Sequence, residues 1–215
     1  MYIAIEGVIG VGKTTLVRLL RPRFGADSLL EVFEENPFLS SFYGDRERYA
    51  FQTQMFFLLS RYHQQRRAVP EALARGPLIA DYTFAKDALF ARINLKGDEL
   101  ELYDNLHNAL AEKIPMPDLI VYLRATTGTL MQRIAHRDRP YERQMEWAYI
   151  DALNNAYDAF FSHHAYPPIL TLDVDDLDFV ARPDDLQTIE TRIRSTLKLG
   201  AYQEALPLDK DHAVD

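Results

Sequence analysis

At 215 residues the chain is long enough for one domain with a sizeable core and cramped for two. Its 47% apolar and 26% charged residues are ordinary for a globular protein, and a net charge of −8 with no long basic run repels nucleic-acid polymers and anionic lipid. The absence of cysteine excludes disulfides, thiolate nucleophiles and cysteine-based metal sites, and fits a reducing compartment.

No apolar run approaches the ~18 residues that span a bilayer. The N-terminus runs straight from Tyr2-Ile3-Ala4-Ile5 into a glycine loop, with no signal-peptide layout. A cytoplasmic protein without a membrane partner is the expectation. Taken in chain order, short apolar runs alternate with longer stretches of helical period. Residues 2–5, 28–32, 78–80, 119–123 and 169–172 have the composition of strands buried on both faces. Between them, residues 14–20 are expected to form a helix stopping near Pro22, and 49–68 carries apolar residues at 51, 55, 58 and 62. Asp98 is the expected N-cap of a helix ending before Pro115, and residues 145–161 are amphipathic. Asp184 is expected to cap a last helix that Gly200 closes.

Residues 201–215 read as a polar tail, and no change of composition marks a second domain within 1–200. Strands alternating with helices predict an α/β fold, a five-stranded parallel sheet with helices on both faces. In such sheets ligands bind at the carboxyl ends of the strands. The residues expected there are 7–14, Glu31 or Glu34, Asp81, and an arginine-rich stretch from Arg133 to Arg143.

The stretch GVIGVGKT, residues 7–14, has the spacing Gly-x-x-x-x-Gly-Lys-Thr. Glycines permit backbone angles and close approach that a Cβ would block, so successive N–H groups and a helix N-terminus face a phosphate chain. Gly7, Gly10, Gly12, Lys13, Thr14 and Thr15 are the expected contacts, with Lys13 reaching the β- and γ-phosphates and the Thr14 hydroxyl binding Mg²⁺. A chance match has a probability on the order of 10⁻⁵ per position. The loop alone does not choose among a kinase, an ATPase motor and a GTP switch, although a guanine-reading Asn-Lys-x-Asp stretch is absent.

Other polar residues acquire meaning beside that loop. Gln54 and Arg61, seven apart on a predicted helix, fall within about 20° of each other next to the apolar stripe. Buried donors there need partners, since leaving one unpaired costs roughly 1–3 kcal/mol. Asp81 follows a strand and suits Mg²⁺, directly or through water. Arg133, Arg137, Arg139 and Arg143 stand within residues 131–143 against only Asp138 and Glu142. Alone, such a run reads as a solvated face. Downstream of a phosphate loop, its guanidinium forks read as phosphate ligands. The six histidines show no metal-ligand spacing, with His163-His164 read as a loop, and Trp147 reads as a packing residue. Of Phe51, Phe57, Phe84 and Phe90, most read as core, with one or two left as base-stacking residues.

The phosphate loop, EVFEENPFLSSFY, RYAFQTQMFFLLSRY, DYTFAKDALFA and RIAHRDRPYER follow one another from residue 1 to about 150. In this order they resemble the deoxynucleoside kinases, most closely the bacterial purine type. The resemblance implies ATP as phosphate donor, a deoxynucleoside as acceptor, and a homodimer. It makes Glu31 the base that takes the 5′-hydroxyl proton, with Glu34 as the alternative. A positioned base contributes roughly 10²–10⁴ in rate. It assigns Gln54 to the nucleobase edge, Arg61 with Asp87 to a pair beside it, and Tyr43 with Glu142 to the 3′-hydroxyl. It makes residues 131–143 a lid whose Arg133, Arg137 and Arg139 close on the donor, and DVDDLDF, beginning at Asp173, an adenine-contacting loop. The sequence reads Asp81-Tyr82-Thr83 where many members have Asp/Glu-Arg-Ser, so the arginine that would steady the base and the reacting phosphate is missing.

Two other readings stand beside this one. A nucleoside monophosphate kinase of the thymidylate type would carry a dedicated arginine where Tyr82 stands. Against a non-catalytic nucleotide-binding subunit that keeps the fold for assembly stands the intact set Lys13, Thr14, Glu31 and Asp81.

Overall fold

β1 (Tyr2–Glu6) is buried at all five positions, as a strand in the middle of a covered parallel sheet must be. It pairs in parallel with β3 (Leu78–Ala80) on one side and β4 (Leu119–Arg124) on the other. β2 (Asp27–Leu29) and β5 (Ile169–Asp173) complete the sheet, in the order β2-β3-β1-β4-β5. The expected five-stranded parallel α/β sheet is the one found. The computed structural model describes residues 1–32, 35–163 and 167–200. The expectations for Glu34, His164 and the tail 201–215 lie outside the described residues.

The side chains of β1 alternate between two apolar layers. Ile3 and Ile5 join the larger core, while Tyr2 and Ala4 pack with Val69 and Ala72 of α3 (Arg46–Leu73). Asp45 caps α3 by accepting the Arg48 N–H at 3.3 Å, so this helix extends the expected 49–68 at both ends.

The other helices are α1 (Lys13–Arg23), α2 (Leu39–Gly44), α4 (Lys86–Asn94), α5 (Gly97–Ala111), α6 (Thr127–Arg137), α7 (Trp147–His163) and α8 (Pro183–Thr196). Several boundaries differ from expectation for local reasons. α1 runs through Pro22 to Arg23, because a proline in the last turn sacrifices one amide bond and leaves the preceding turns intact. Lys96 and Arg182, not Asp98 and Asp184, hold the N-cap positions of α5 and α8. The aspartates sit in the first turns, where the helix dipole favours them. α8 ends at Thr196, before Gly200. Trp147 opens α7 with 55% of its surface exposed instead of packing, and His163 closes that helix rather than standing in a loop. β2 stops at Leu29, which leaves Glu31 beyond the strand end.

Candidate active site

The sheet register builds the site. Leu29 pairs with Ala80 and Ala80 with Ala4, so the segments after β1, β2 and β3 emerge together. Asp81, one residue past β3, accepts the Glu31 N–H on Oδ1 at 2.7 Å and the Thr14 hydroxyl on Oδ2 at 2.5 Å. One carboxylate thereby ties together three chain segments far apart in sequence.

The glycine loop is held by close packing from outside. Gly7 has φ 145°, and a Cβ there would lie 2.5 Å from the Leu123 carbonyl. Gly12 has φ 105°, and its Cβ would meet the Phe179 ring at 2.9 Å. Both positions therefore require glycine. Lys13 Nζ donates to the Gly7 and Val8 carbonyls at 2.6 and 3.1 Å. Burial, and after it the charge of Lys86, lower the Lys13 ammonium to about 8. Behind the loop, Glu6 is fully buried. Its Oε1 accepts from the Thr83 N–H at 2.6 Å and the Thr83 hydroxyl at 2.8 Å. Burial raises its carboxyl, against the lowering effects of Lys86, Lys13 and the Thr83 donors.

Glu31 is held by two cations. Its Oε1 accepts from Arg61 Nε at 2.9 Å and from Nη2, and its Oε2 accepts from Lys86 Nζ at 2.5 Å. Burial alone would push the Glu31 carboxyl up. Arg61 and Lys86 outweigh it and hold the group well below the usual carboxylate range. Arg61 Nη1 pairs with Asp87, so one guanidinium spans both carboxylates, and it lies 4.3 Å from the Phe57 ring centroid. Gln54, also buried on α3, lines the same cavity as Glu31 and Arg61.

Across that cavity stands the arginine-rich segment. Arg137 grips Glu142 through Nε at 3.0 Å and Nη2 at 2.6 Å, and Arg139 approaches the same carboxylate at 3.6 Å. Tyr43 lines the cavity and stacks on Tyr141 at 6.2 Å and 14°. Arg133 faces the opposite way, donating to the Val11 carbonyl at 3.1 Å and the Val174 carbonyl at 2.8 Å. Arg143 pairs with exposed Asp138 through two bonds of 2.7 Å.

A second cavity runs past Gly12, Thr15 and Arg133 to the segment 175–180. The two cavities share Gly10 and Arg137 in their linings, so they meet at the phosphate loop. Asp173, the expected adenine contact, does not line either. Arg124 takes both its oxygens at 2.5 and 3.0 Å on the exposed edge of the sheet, and Asp175, Asp176 and Asp178 line the second cavity instead.

The structure also supplies residues the sequence did not single out. Lys86 was visible only as a lone cation inside the apolar run FAKDALF. Tyr141, Tyr149 and Tyr157 line the first cavity, and Phe179 covers Gly12. Among the expected core aromatics, Phe84 is buried against His107 with ring centroids 4.8 Å apart, while Phe57 and Phe90 line the first cavity. Tyr82, in the place of the missing arginine, is fully buried and donates its hydroxyl to Gln64. It offers no charge to the site.

The paired Thr14 hydroxyl and Asp81 carboxylate form an all-oxygen donor set beside Lys13. That suits Mg²⁺, which keeps water and phosphate oxygens as its remaining ligands. Among the described residues no group of three or more His, Cys, Asp or Glu gathers to hold a metal with protein ligands alone.

A parallel sheet with a glycine loop after its central strand, and two cavities meeting at that loop, define a phosphate-loop nucleotide-binding protein. The family model described as "Deoxynucleoside kinase" matches residues 3–198, and the chain belongs to that family. Among its relatives, the deoxyguanosine kinase of Bacillus subtilis (strain 168) is 37% identical, over 91% of this chain and 97% of its own. The deoxyadenosine/deoxycytidine kinase of the same organism is 30% identical, over 91% and 92%. A solved deoxyadenosine kinase from M. mycoides, with the products dCMP and dCDP bound, superposes with a TM-score of 0.79 at 26% identity. That match covers 91% of this chain and 100% of the other. Among the described residues no helix is long and apolar enough to cross a membrane.

Proposed function

We propose that this chain transfers the γ-phosphate of ATP to the 5′-hydroxyl of a purine deoxynucleoside. The observation that carries the reading is the meeting of two cavities at Gly10 and Arg137, one past the glycine loop and one containing a charge-held carboxylate, Glu31. The cavity past the glycine loop suits a donor triphosphate, and the one containing Glu31 suits an acceptor whose hydroxyl must lose a proton. Glu31 stays ionised under the charges of Arg61 and Lys86, so its carboxylate is in the form that can accept a proton. Lys13 leaves its loop carbonyls for the β- and γ-phosphates, which offer it more negative charge. Thr14 and Asp81 would hold Mg²⁺, which offsets phosphate charge when bound. Gln54 and Arg61 address the base edge, with Asp87 steadying Arg61. Tyr43 and Glu142 take the sugar 3′-hydroxyl. Arg137 and Arg139 turn from Glu142 to the transferring group, and residues 131–143 act as the lid.

Arg133, fixed between the loop and the end of β5, lines the donor side together with Thr15. The purine preference rests on the names of the relatives. A homodimer, which the resemblance implies, and a cytoplasmic location, which the lack of cysteine favours, complete the reading. Incubating the pure chain with Mg-ATP and each of the four deoxynucleosides tests it. Deoxyadenosine or deoxyguanosine should yield its 5′-monophosphate, and no monophosphate from any of the four overturns the proposal.

A further inference from the structure

We propose that Oε2 of Glu31, not Oε1, is the atom that takes the 5′-hydroxyl proton, and that Lys86 is its positioning residue. The inference rests on the reading of Glu31 as the base. In the transfer, the 5′-oxygen forms a bond to the γ-phosphorus as the bond from that phosphorus to the β-bridging oxygen breaks. ADP leaves and the hydroxyl proton passes to the carboxylate.

A carboxylate oxygen has two lone-pair sites. Those of Oε1 are both taken, by Nε and Nη2 of Arg61. Oε2 accepts only Lys86 among the described residues, so it keeps one site for an incoming hydroxyl. Without the ammonium, nothing described would fix Oε2, and the carboxylate could swing about its bond to Arg61.

The setting of Lys86 argues against a packing role. It is the first residue of α4, where the helix dipole disfavours a cation. It is only 4% exposed, and desolvating an ammonium is costly unless it is paired. Two of its three N–H donors have no protein acceptor among the described residues, and Lys86 lines the cavity that contains Glu31. The rings of Tyr82 and Phe90 flank it, with centroids 5.7 and 5.9 Å from Nζ. Among the described residues, Lys86 exerts the largest charge effect of any side chain on both Glu6 and Lys13, which places its field on the phosphate loop as well. Tyr82 donates its hydroxyl to Gln64 and brings no charge, so the cations beside the base are Arg61 from α3 and, four residues beyond Tyr82, Lys86 from α4.

The test compares Lys86→Met, Lys86→Arg and Glu31→Gln with the unaltered chain in steady-state kinetics with Mg-ATP. Lys86→Met should lower kcat about 100-fold, the cost of displacing a reacting group by about an ångström, with nucleoside KM changed less than about threefold. Lys86→Arg, or added methylammonium on Lys86→Met, should restore at least a tenth of the lost rate. A thermal melt checks that each variant folds, and Lys86→Gln replaces Lys86→Met under the same readouts if the latter does not. Unchanged kcat in a folded Lys86→Met overturns the proposal. So does equal loss in Lys86→Arg with no rescue by the amine. If Glu31→Gln keeps full activity, the reading of Glu31 as base fails first. If Glu31→Gln is inactive while Lys86→Met is not, only the role of Lys86 fails.

Discussion

At the residue scale, the site is a set of charges that satisfy one another before any ligand arrives. Glu31 is shared by Arg61 and Lys86, Glu142 by Arg137 and Arg139, and Lys13 is folded back on its own loop. Glu31→Gln keeps the shape and removes the proposed base. Its expected effect is a loss of about 10²–10⁴ in kcat with modest change in nucleoside KM, read in steady-state kinetics. Lys13 yields a second prediction. Its ammonium is lowered to about 8 in the free protein, and phosphate anions favour the charged form and push it back up. Near pH 9 the free chain therefore holds Lys13 largely neutral, and nucleotide binding takes up a proton. Calorimetry of Mg-ATP binding in buffers of different ionisation enthalpy should show that uptake at pH 9, its decline toward pH 7, and its loss in Lys13→Met.

At the element scale, the glycine loop and α3 carry the consequences. Gly7→Ala would drive a Cβ into the Leu123 carbonyl, a backbone atom of the adjoining strand that cannot step aside. A backbone forced there costs on the order of 1–3 kcal/mol, visible as a lower midpoint in denaturant unfolding. Arg61 sits on α3 between Glu31 and Asp87, and Asp87 is 1% exposed. Arg61→Ala strands a buried carboxylate and should cost about 3–5 kcal/mol of stability. Asp87→Ala removes the stranded charge as well as the pair. Kinetics across four deoxynucleosides, on variants shown to be folded, should then reveal altered base selectivity, whereas uniform losses would count against a role for this pair in reading the base. Much of this was legible in the sequence. Gln54 and Arg61 share a face at a spacing of seven, and the cavity receives both. Arg137 and Arg139 were equally visible, but their grip on Glu142 was not, because it depends on the turn over Pro140–Glu142 folding the chain back.

At the scale of the whole molecule, the acidic surface and the local arginines divide the ligands. A chain of net charge −8 gathers Lys13, Arg137 and Arg139 around one cavity, an arrangement that favours small anions there while the overall charge repels polymers. Fluorescence polarisation with a single-stranded oligonucleotide at 150 mM salt, about the physiological level, should show no binding. If the proposed homodimer forms, light scattering should give about twice the chain mass of 24.8 kDa.

The sequence by itself determined the glycine loop, the places of the five strands and the types of residue that follow them, because periodicity and turn chemistry are local; that β2 and β5 lie half-exposed at the sheet edges was not local. Only the tertiary structure decided who meets whom. The order β2-β3-β1-β4-β5 brings Asp81 to Thr14 and to the Glu31 backbone. Arg124 claims Asp173 across two neighbouring strands, because their register pairs those two residues. α4, too short to announce itself by periodicity, carries Lys86 to Glu31 across 55 positions of chain. Such pairings depend on strand order and on competition between donors for each carboxylate, and neither is written in any short stretch of residues.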